Sequence, residues 1–584
     1  MIWLSERKMS QHPAIAEFQK ILSNEHVETN ESRTEHYRSG FRSGKGSAMA
    51  VLFPQNLVDY WRVLQVCIAH DCIVIMQAAK TGLTEGSTPS GNDYDREVVV
   101  INTLAMNQLV MLGKGEQVLG FPGTTLHTLE KTLKPLSRSP HSVIGSSNLG
   151  STMVGGVANN SGGALIKRGP AYTELALFAQ VNEKGELNLV NHLGIDLGES
   201  PEEILQNLEN GNFDHSYVDT YSDTSGNHSS GKQASARNYQ DLLRDVDADT
   251  PSRFNADPSR LYEASGCAGK LAVFAVRLDS FPVAKKEKTY YIGTNKASVL
   301  TQLRRRILSE FTNLPEVGEY MHRDIFDISQ KYGKDTFLSV KHLGTDRMPK
   351  LFALKGKIDA ALKKISFFPD APTDRIMQFV SKMFPEHLPK RMLQYRKDYE
   401  HHLILKLSDD GIAEADKFLP EFFADKDNGE YFECTAEEAS GAFLNRFAAA
   451  GAAMRYELMH EKEVGELIAL DIALRRNEFD WVEQLPASLQ DKIDKSLYYG
   501  HFFCHVFHQD YILKKGVNAK EVKAEMLKIL DGRGAKYPAE HNVGHLYKAE
   551  DGLVQFYKKL DPTNTFNPGI GKMEKTKRNC SCCL

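Results

Sequence analysis

The stretch at residues 145–163 constrains the fold of this chain more than any other, because six of its nineteen residues are glycine. Glycine destabilises the interior of a helix or strand by roughly 0.5 to 1 kcal/mol relative to alanine. A chain that keeps six glycines so close together therefore needs its backbone to approach another group closely. We expect that group to be a large planar ligand.

A second segment, at residues 76–89, is rich in small and hydroxyl residues and directly follows a predicted strand. Backbone N–H groups of such a segment can approach a pyrophosphate and form an anion-binding nest. The segment has neither a helix-opening GxGxxG nor the GxxxxGKS/T spacing, so neither the Rossmann nor the P-loop mechanism applies. A plain cluster of turns explains it equally well alone, but the two segments together predict a long dinucleotide site.

The rest of the chain has the composition of a soluble globular protein. Its 584 residues, 41% apolar and 25% charged, predict two or three domains. The formal charge of −5 provides no field that would attract nucleic acid, so we expect no nucleic-acid partner. The eight cysteines show no even framework of spacings, which favours free thiols and a reducing compartment.

Short runs with a period of two alternate with helical patterns in the first third of the chain, which predicts a domain of mixed sheet and helix. Residues 222–237 are rich in Ser, Gly, Asn and Asp and predict a surface insertion of the disordered type. The apolar run at 271–278 predicts a buried strand that closes this domain. The other predicted elements are strands at 48–53, 72–76, 98–102, 109–112, 116–121 and 177–182, and a helix at 56–69.

Residues 341–397 show the steepest change of composition, with 13 Lys and Arg against 5 Asp and Glu. One interpretation is a solvated basic face whose aromatic residues belong to a core. The other is contact with an anionic bilayer, where each Lys or Arg contributes on the order of 1 kcal/mol and rings insert at the headgroup level. The apolar residues interleaved with these charges are Phe352, Phe367, Phe368, Phe379, Met383 and Phe384.

Histidines cluster near the C-terminus, where His501 and His508 stand seven residues apart and Glu540 directly precedes His541. This spacing suggests a strand edge and a loop rather than one helix. A zinc hydrolase of the HExxH class is disfavoured, because the residues between His541 and His545 are Asn-Val-Gly, without the catalytic glutamate. Each histidine could also be an ordinary surface or core residue, an interpretation that the clustering weakens.

The two small-residue segments resemble those of the vanillyl-alcohol-oxidase (PCMH) type of FAD-binding domain. The first is similar to the family's RGxGTxLxGG stretch, with Lys80 and Glu85 at glycine positions, and the second to its GGxxxxNxGG stretch at 155–163. The resemblance implies bound FAD, and a non-covalent one, because the first segment contains no histidine or cysteine. The implied FAD-binding residues are Ala78, Ala79, Lys80, Thr81, Gly82, Gly86, Ser87, Gly145, Thr152, Gly155, Gly162 and Val273.

The C-terminal histidines resemble the GHxGDGNxH and EHGIG motifs of the FAD-linked 2-hydroxy-acid dehydrogenases. This resemblance implies that His501, His508 and Glu540 line the substrate site and are candidates for holding a divalent metal, and that His541 is the base. Residues 503–506 depart from the family's Gly-Asp-Gly-Asn.

The chemistry of hydroxy-acid oxidation asks for such residues independently. Moving hydride from C2 to a flavin requires a base for the hydroxyl proton, and imidazole, with a pKa near 6.5, suits neutral pH. The substrate carboxylate is best held by the planar fork of an arginine. Arg446 stands where the family has its LWxxR substrate arginine, although without the resemblance it would be read as a surface residue of an Ala-rich helix.

Longer runs, including GLTEGSTP and YPAEHNVGHLYK, resemble the bacterial respiratory, quinone-linked D-lactate dehydrogenases over most of residues 40–570. This resemblance implies oxidation of D-lactate to pyruvate, a membrane quinone as acceptor, and peripheral attachment to anionic phospholipid on the cytoplasmic side of the inner membrane. The implied α+β architecture has an FAD-binding domain at 1–280 and a ferredoxin-like cap at 281–530. The cap includes a membrane-contact segment near 322–400, and a C-terminal segment at 531–584 returns to the FAD-binding domain.

Two alternatives share most of these features. Another FAD-linked D-2-hydroxy-acid dehydrogenase, acting on glycolate or D-2-hydroxyglutarate, would carry the same motifs, although a second carboxylate needs a second cation in the pocket. A protein of a different class, a membrane-surface flavin-binding module without turnover, would keep the fold. Such a module would have little reason to retain the full set of His501, His508, Glu540, His541 and Arg446.

Overall fold

The computed structural model of the chain describes residues 12–142, 150–216, 231–344, 355, 358 and 371–578. Gly145, the first part of the predicted insertion and the cysteine-rich tail lie outside these residues. So do three phenylalanines of the basic segment, Phe352, Phe367 and Phe368. Among the described residues, Cys67, Cys72, Cys267, Cys434 and Cys504 carry free thiols, as predicted.

The first part of the chain forms two sheets that pack around a shared core. The first sheet has the order Val27–Glu28, Ala50–Leu52, Val98–Asn102, Ile73–Gln77, and its last three strands run parallel. The second is antiparallel, with the order Leu109–Leu112, Gln117–Gly120, Ala272–Asp279, Ala176–Val181, Leu187–Asn191. All seven strands and the one helix predicted from periodicity in this part of the chain are present, with their ends within two residues.

Local sequence explains these elements. The strand Val98–Asn102 is buried along its whole length, because it is a central parallel strand that is covered on both faces. The helix Leu57–Ala69 begins where the side chain of Asn56 accepts a hydrogen bond from the N–H of Asp59 at 2.8 Å. The other helices of this part are Pro13–Leu22, Glu31–Arg38, Leu126–Leu133, Met153–Ala158, Pro201–Asn210 and Tyr239–Arg244.

The prediction of a disordered insertion at 222–237 is wrong for the C-terminal end of that range. Ala234 and Ala236 are buried, and Ala234 accepts a backbone hydrogen bond from Asp279 at 2.9 Å. The side chain of Ser235 also donates to Asp279. Small residues at these positions pack beside the closing strand, a role that a count of polar residues does not reveal.

The second part of the chain is built on one antiparallel sheet of seven strands, which we call the cap sheet. Its order is Glu430–Glu433, Glu287–Thr294, His401–Ser408, Val317–His322, Ile493–His501, Val506–Lys514, Val464–Ala473. One face of the sheet packs on the helix Arg323–Tyr332 and on the 24-residue helix Ala436–Met459, here called the cap helix. The remaining helices are Ala297–Glu310, Lys334–Leu343, Pro372–Ser381, Lys390–Asp398, Asp410–Phe422, Ala487–Gln490, Ala519–Gly532 and Asp551–Leu560.

The last described residues pack against the first sheet. Val74 donates a backbone hydrogen bond to Thr565 at 3.0 Å, and Asn567 donates one back to Val74 at 2.9 Å. Lys270 is fully buried and donates to the carbonyl of Phe566 at 2.8 Å. After the cap sheet, the chain therefore returns at Thr565–Asn567 to the strand that precedes the 76–89 segment.

The burial of His402, on a central strand of the cap sheet, makes the stability of the fold depend on pH. Its ring is 1% exposed, lies 5.5 Å from Phe326 and 5.7 Å from Tyr291, and has no hydrogen-bond partner among the described residues. Burial, reinforced by nearby cations, lowers the pKa of His402 to about 3. The unfolded chain, with a pKa near 6.5, therefore takes up this proton first as the pH falls.

We expect a His402→Leu variant to lose less stability than the wild type between about pH 6.5 and pH 4. The slopes of the unfolding free energy against pH should differ by up to about 1.4 kcal/mol per pH unit, the equivalent of one proton. Urea unfolding at several pH values measures this slope, and His342→Leu, at an exposed position, controls for the loss of one imidazole. Equal slopes for wild type and His402→Leu would contradict the prediction.

Candidate active site

The two small-residue segments meet in space. We call residues 78–87 the first loop and residues 150–163 the second loop. The hydroxyls of Thr81 and Ser151 lie 2.9 Å apart. A Cβ placed on Gly150 would stand 3.8 Å from the Cβ of Ala79. The prediction that both segments border one site is therefore supported by direct contact between them.

The first loop keeps a left-handed backbone at the two positions where the sequence departs from the family's glycines. Lys80 has φ +57° and Glu85 has φ +66°. A residue with a Cβ pays about 1 to 2 kcal/mol for this conformation, which glycine adopts freely. The substitutions therefore preserve the shape of the loop. Burial also lowers the pKa of Lys80 to about 8.

The loops offer the open backbone that a dinucleotide needs. A Cβ on Gly82 would meet no heavy atom within 4 Å, so its backbone faces open space. Ala78, Ala79, Gly86 and Ser87 belong to the same loop, in which Gly86 faces the side chain of Asn542. These small residues fit the close approach of a pyrophosphate and a flat ring.

The second loop includes the start of a short helix. Thr152 begins the helix Met153–Ala158 and accepts a hydrogen bond from the N–H of Gly155 at 3.1 Å. This short helix packs on Val273, which is buried in the same core cluster as Met153. Of the predicted FAD-binding residues, Gly145 alone lies outside the described part of the chain.

A third segment, residues 540–545, closes on both loops. A Cβ on Gly86 of the first loop would stand 2.8 Å from the side chain of Asn542. A Cβ on Gly162 of the second loop would stand 2.8 Å from Oε1 of Glu540 and 2.9 Å from Cζ of Arg253. These glycines are required because the Glu540 segment approaches their backbone so closely. The cofactor loops and the predicted catalytic residues thus form one site.

The cap sheet brings the two histidines to this site on one face. His501 ends one strand opposite Glu319, and His508 lies on the neighbouring strand opposite both Tyr499 and Asp471. Residues paired across an antiparallel sheet point to the same face, and so do residues two apart along a strand. All five side chains therefore face the same side of the sheet.

Glu540 reaches both histidines from its loop. Its Oε2 lies 3.4 Å from Nε2 of His501 and 3.9 Å from Nε2 of His508. Its Oε1 forms a buried ion pair with Arg253, which also donates to the carbonyl of Gly163 at 2.9 Å. Burial opposes ionisation of Glu540, but the charges of His501 and Arg253 hold its pKa well below the ordinary value.

The two histidines differ in charge. Burial disfavours a charged His501, but Glu319 and Glu540 outweigh burial and raise its pKa to about 10. Burial lowers the pKa of His508 to about 3. At neutral pH the site therefore holds a cationic His501 next to a neutral His508.

Glu319 connects the histidine to the predicted substrate arginine. Its Oε1 lies 2.6 Å from Nδ1 of His501, and its Oε2 lies 2.7 Å from Nε of Arg446. The guanidinium also lies over the ring of Tyr499, 4.7 Å from the ring centre. Glu319 and the ring of Tyr499 therefore hold the guanidinium of Arg446 in one orientation.

Asp471 lies between the base predicted from sequence and the histidine pair. Its Oδ2 accepts from the N–H of Glu540 at 2.8 Å and stands 3.9 Å from Nε2 of His541, while its Oδ1 stands 3.6 Å from Nδ1 of His508. Burial raises the pKa of Asp471 to about 6. The His541 side chain is 32% exposed, so a small molecule can reach the ring.

Sequence reasoning missed four residues that hold this site together: Glu319, Asp471, Arg253 and Tyr499. Glu319 and Asp471 are single acids within otherwise apolar strand runs, GEYM and ALDIA. A lone acid on the buried face of a strand is a signal that could have drawn attention to both. Arg253 lies in an irregular loop, where no periodicity singles it out.

The set of His501, His508 and Glu540 fits a divalent cation by geometry. Their ligand atoms all lie within 4.8 Å of one another. Two imidazoles and a carboxylate are a common donor set for zinc and for iron. His501 would have to release its extra proton when a metal binds.

Comparison with known proteins agrees with this architecture. Residues 289–579 match the family described as D-lactate dehydrogenase, membrane binding. The chain is 57% identical to the quinone-dependent D-lactate dehydrogenase of Escherichia coli K12, over 96% of both chains. It is 55% identical to that of Haemophilus influenzae, over 97% of this chain and 99% of the relative, and 43% identical to that of Corynebacterium glutamicum, over 96% of both.

Solved structures with much lower identity share the fold. A substrate-bound p-cresol methylhydroxylase aligns with a TM-score of 0.54 at 12% identity and covers 96% of both chains. An alkyldihydroxyacetonephosphate synthase aligns with a TM-score of 0.55 at 12% identity, over 96% of this chain and 86% of that chain. These likenesses confirm the predicted PCMH type of FAD-binding fold and the mixed α and β class.

Proposed function

The chain belongs to the family of quinone-dependent D-lactate dehydrogenases, and we propose how the residues of its cleft perform that reaction. It is an FAD-linked oxidoreductase that converts D-lactate to pyruvate with a quinone as electron acceptor. The observation that carries the assignment of residues is the meeting of the two loops, the Glu540 segment and the histidine face of the cap sheet at one site. We propose that the FAD is bound without a covalent link.

Arg446 binds the substrate carboxylate. Its guanidinium is held in one orientation by Glu319 and by the ring of Tyr499, so a planar anion meets a fork that is already positioned. Charge-assisted bidentate pairs of this kind are stronger and more directional than a contact to a lysine ammonium.

His541 takes the proton of the C2 hydroxyl. Asp471, 3.9 Å from Nε2 of His541, stabilises the imidazolium that forms. His501 and His508 line the other side of the substrate and orient the hydroxyl oxygen. FAD held by the two loops would supply the acceptor for the C2 hydride and the route for both electrons to the quinone. His501, His508 and Glu540 would hold a divalent cation, which would supply a Lewis acid at this side of the site.

A panel of hydroxy acids tests the proposed substrate. We expect kcat/KM with a short-chain quinone to be highest for D-lactate and lower for glycolate, which lacks the methyl group. We expect it to be lowest for D-2-hydroxyglutarate, whose second carboxylate must find another cation. A higher kcat/KM for glycolate or D-2-hydroxyglutarate would show that this acid, rather than D-lactate, is the preferred substrate.

We propose that the enzyme attaches peripherally to the cytoplasmic side of the membrane through the Pro372–Ser381 helix and the turn that follows it. The apolar side chains there are strongly exposed, with Phe379 at 69% and Met383 at 76%. Ile376 and Phe379 are three residues apart on the helix and share one face, and Met383 lies in the turn that follows the helix. Among the described residues, no helix is both long enough and apolar enough to cross a bilayer.

The charges around this face divide into two groups. Arg391 pairs with Glu438 at 2.5 Å, and Arg396 pairs with Asp327, so both cations are already partly neutralised. Lys390 and Lys397 are exposed. We therefore expect these lysines to contribute more to anionic lipid binding than the two arginines, each by on the order of 1 kcal/mol.

Replacing Phe379 and Met383 together by serine should lower binding to anionic vesicles by about tenfold to a hundredfold, because two large apolar side chains no longer insert. Vesicle co-sedimentation at several salt concentrations measures this effect. Phe479→Ser, at a side chain 59% exposed elsewhere on the cap, is the matched control. Unchanged binding of the double variant would exclude this face as the membrane contact.

A further inference from the structure

The cap helix exposes an apolar stripe that the substrate chemistry does not use. Phe447 is 37% exposed and Met454 is 42% exposed, and Gly451 lies exposed between them. Residues 447, 450, 451 and 454 follow the i, i+3, i+4, i+7 spacing of one helix face. No charged residue occurs from Phe447 to Met454. At 1.5 Å per residue the stripe is about 10 Å long.

The stripe connects the substrate site with the proposed membrane face. At one end Phe447 directly follows Arg446, the proposed carboxylate ligand. At the other end, Arg455 pairs with Asp374 at 2.8 Å, and Arg375 donates to the carbonyl of Leu458 at 3.3 Å. These contacts fix the exposed apolar helix Pro372–Ser381 beside the end of the cap helix. The proposed membrane face and the stripe are therefore neighbours, with the Arg455–Asp374 ion pair between them.

A loop of the FAD-binding domain lies beside the stripe, and we call the surface between this loop and the stripe the groove. Nη2 of Arg42 lies 3.8 Å from Sδ of Met454, and the neighbouring Phe41 is 48% exposed. Burial raises the pKa of Asp510 to about 6. The positive charge of Arg42 partly opposes this rise. Tyr499, which lies under Arg446, donates to Asp510 at 2.9 Å. Arg42 therefore stands between the groove and the inner layer of the active site.

We propose that the groove between Phe41–Arg42 and the Phe447–Gly451–Met454 stripe binds the membrane quinone, with its ring near Arg42 and its isoprenoid tail directed towards the Pro372–Ser381 helix. This inference rests on the proposed function and adds the acceptor site to it. A quinone combines a flat apolar ring with carbonyl oxygens that accept hydrogen bonds, which suits two apolar walls and a guanidinium. Each turnover removes two electrons and two protons from D-lactate, and the quinone leaves with both as the quinol.

Gly451 allows a test that does not disturb the fold. A Cβ there would meet no heavy atom within 4 Å, so a longer side chain projects into the groove without a clash. Gly451→Glu places a carboxylate on the stripe, and Gly451→Ala is the matched control without charge. We expect Gly451→Glu to lower kcat/KM for a short-chain benzoquinone in detergent by about tenfold or more, because a carboxylate is costly to desolvate against an apolar ring. Gly451→Ala should stay within about twofold of wild type.

Two further readouts separate the groove from the substrate site. Anaerobic reduction of the flavin by D-lactate, and turnover with a water-soluble dye, should be the same in Gly451→Glu and wild type. Arg42→Gln, at an exposed side chain, should lower quinone turnover in the same selective way. Phe479→Ala, at an exposed side chain that packs on Arg305, should have no effect.

Three outcomes would overturn the proposal. Quinone turnover that is unaffected in Gly451→Glu would show that the acceptor binds elsewhere. A parallel loss with quinone, dye and D-lactate would place the effect on the substrate site. A change of oligomeric state in Gly451→Glu would make the stripe an interface between copies of the chain. Failure of the wild type to be reduced by D-lactate would instead reject the proposed function, and is measured without any acceptor.

Discussion

His541→Ala is expected to slow the reduction of the bound flavin by D-lactate by about a hundredfold to ten-thousandfold, the range that a general base contributes. The hydroxyl proton of lactate must leave as C2 gives up its hydride, and His541 is the reachable imidazole on this side of the site. Asp471 lies 3.9 Å from its ring and supports the positive charge that develops there. Stopped-flow mixing without oxygen or quinone isolates this step from later electron transfer.

The variant should remain folded and keep its FAD, because the His541 side chain is 32% exposed and donates to no core group among the described residues. Added imidazole should restore part of the rate, which would assign the loss to the missing base. Lys548→Ala, at an exposed position in the same C-terminal region, is the control for a general effect of truncation there. A wild-type rate of flavin reduction in His541→Ala would remove His541 from its role.

Glu540→Ala is expected to destabilise the protein by about 3 to 5 kcal/mol, the usual cost of leaving a buried charge without its partner. The Arg253 side chain is only 2% exposed, and Glu540 is its ion-pair partner. The same substitution also removes a carboxylate that supports the charge on His501. Chemical denaturation followed by fluorescence measures the change in the free energy of unfolding.

The double variant Glu540→Ala, Arg253→Met separates the charge effect from the loss of packing. Removing both charges should recover a large part of the lost stability, because the unpaired guanidinium is gone. Glu437→Ala, which removes an acid that is 76% exposed from a surface pair with Lys341, should cost at most about 1 kcal/mol. A loss for Glu540→Ala no larger than this surface value would contradict the buried pair.

Much of the first part of the fold follows from the sequence, because its strands are short runs with clear periodicity. The prediction of a site bordered by two small-residue loops also rests on a local property, the cost of glycine in a packed element. The two departures from the family pattern, Lys80 and Glu85, preserve the left-handed backbone of the loop. Local backbone preference alone would not have placed charged residues there.

The electrostatic framework of the site could not be predicted in the same way. Glu319 and Asp471 are more than a hundred residues apart in the chain and become neighbours of the histidines only through the strand order of the cap sheet. That order is set by long-range pairing, which leaves no trace in local periodicity. The sequence also does not reveal how many cations of the basic segment are unpaired. Arg391 and Arg396 are paired with acids that lie elsewhere in the sequence.

Anaerobic mixing of the purified protein with D-lactate and with L-lactate tests the central claim most directly, since it needs no quinone, membrane or second enzyme. We expect a yellow protein, because the two loops bind the flavin. Its flavin absorbance should be lost on mixing with D-lactate and should be lost much more slowly with L-lactate, because Arg446 and His541 act on the substrate. A protein that carries no flavin, or a flavin that stays oxidised in D-lactate, would contradict the account.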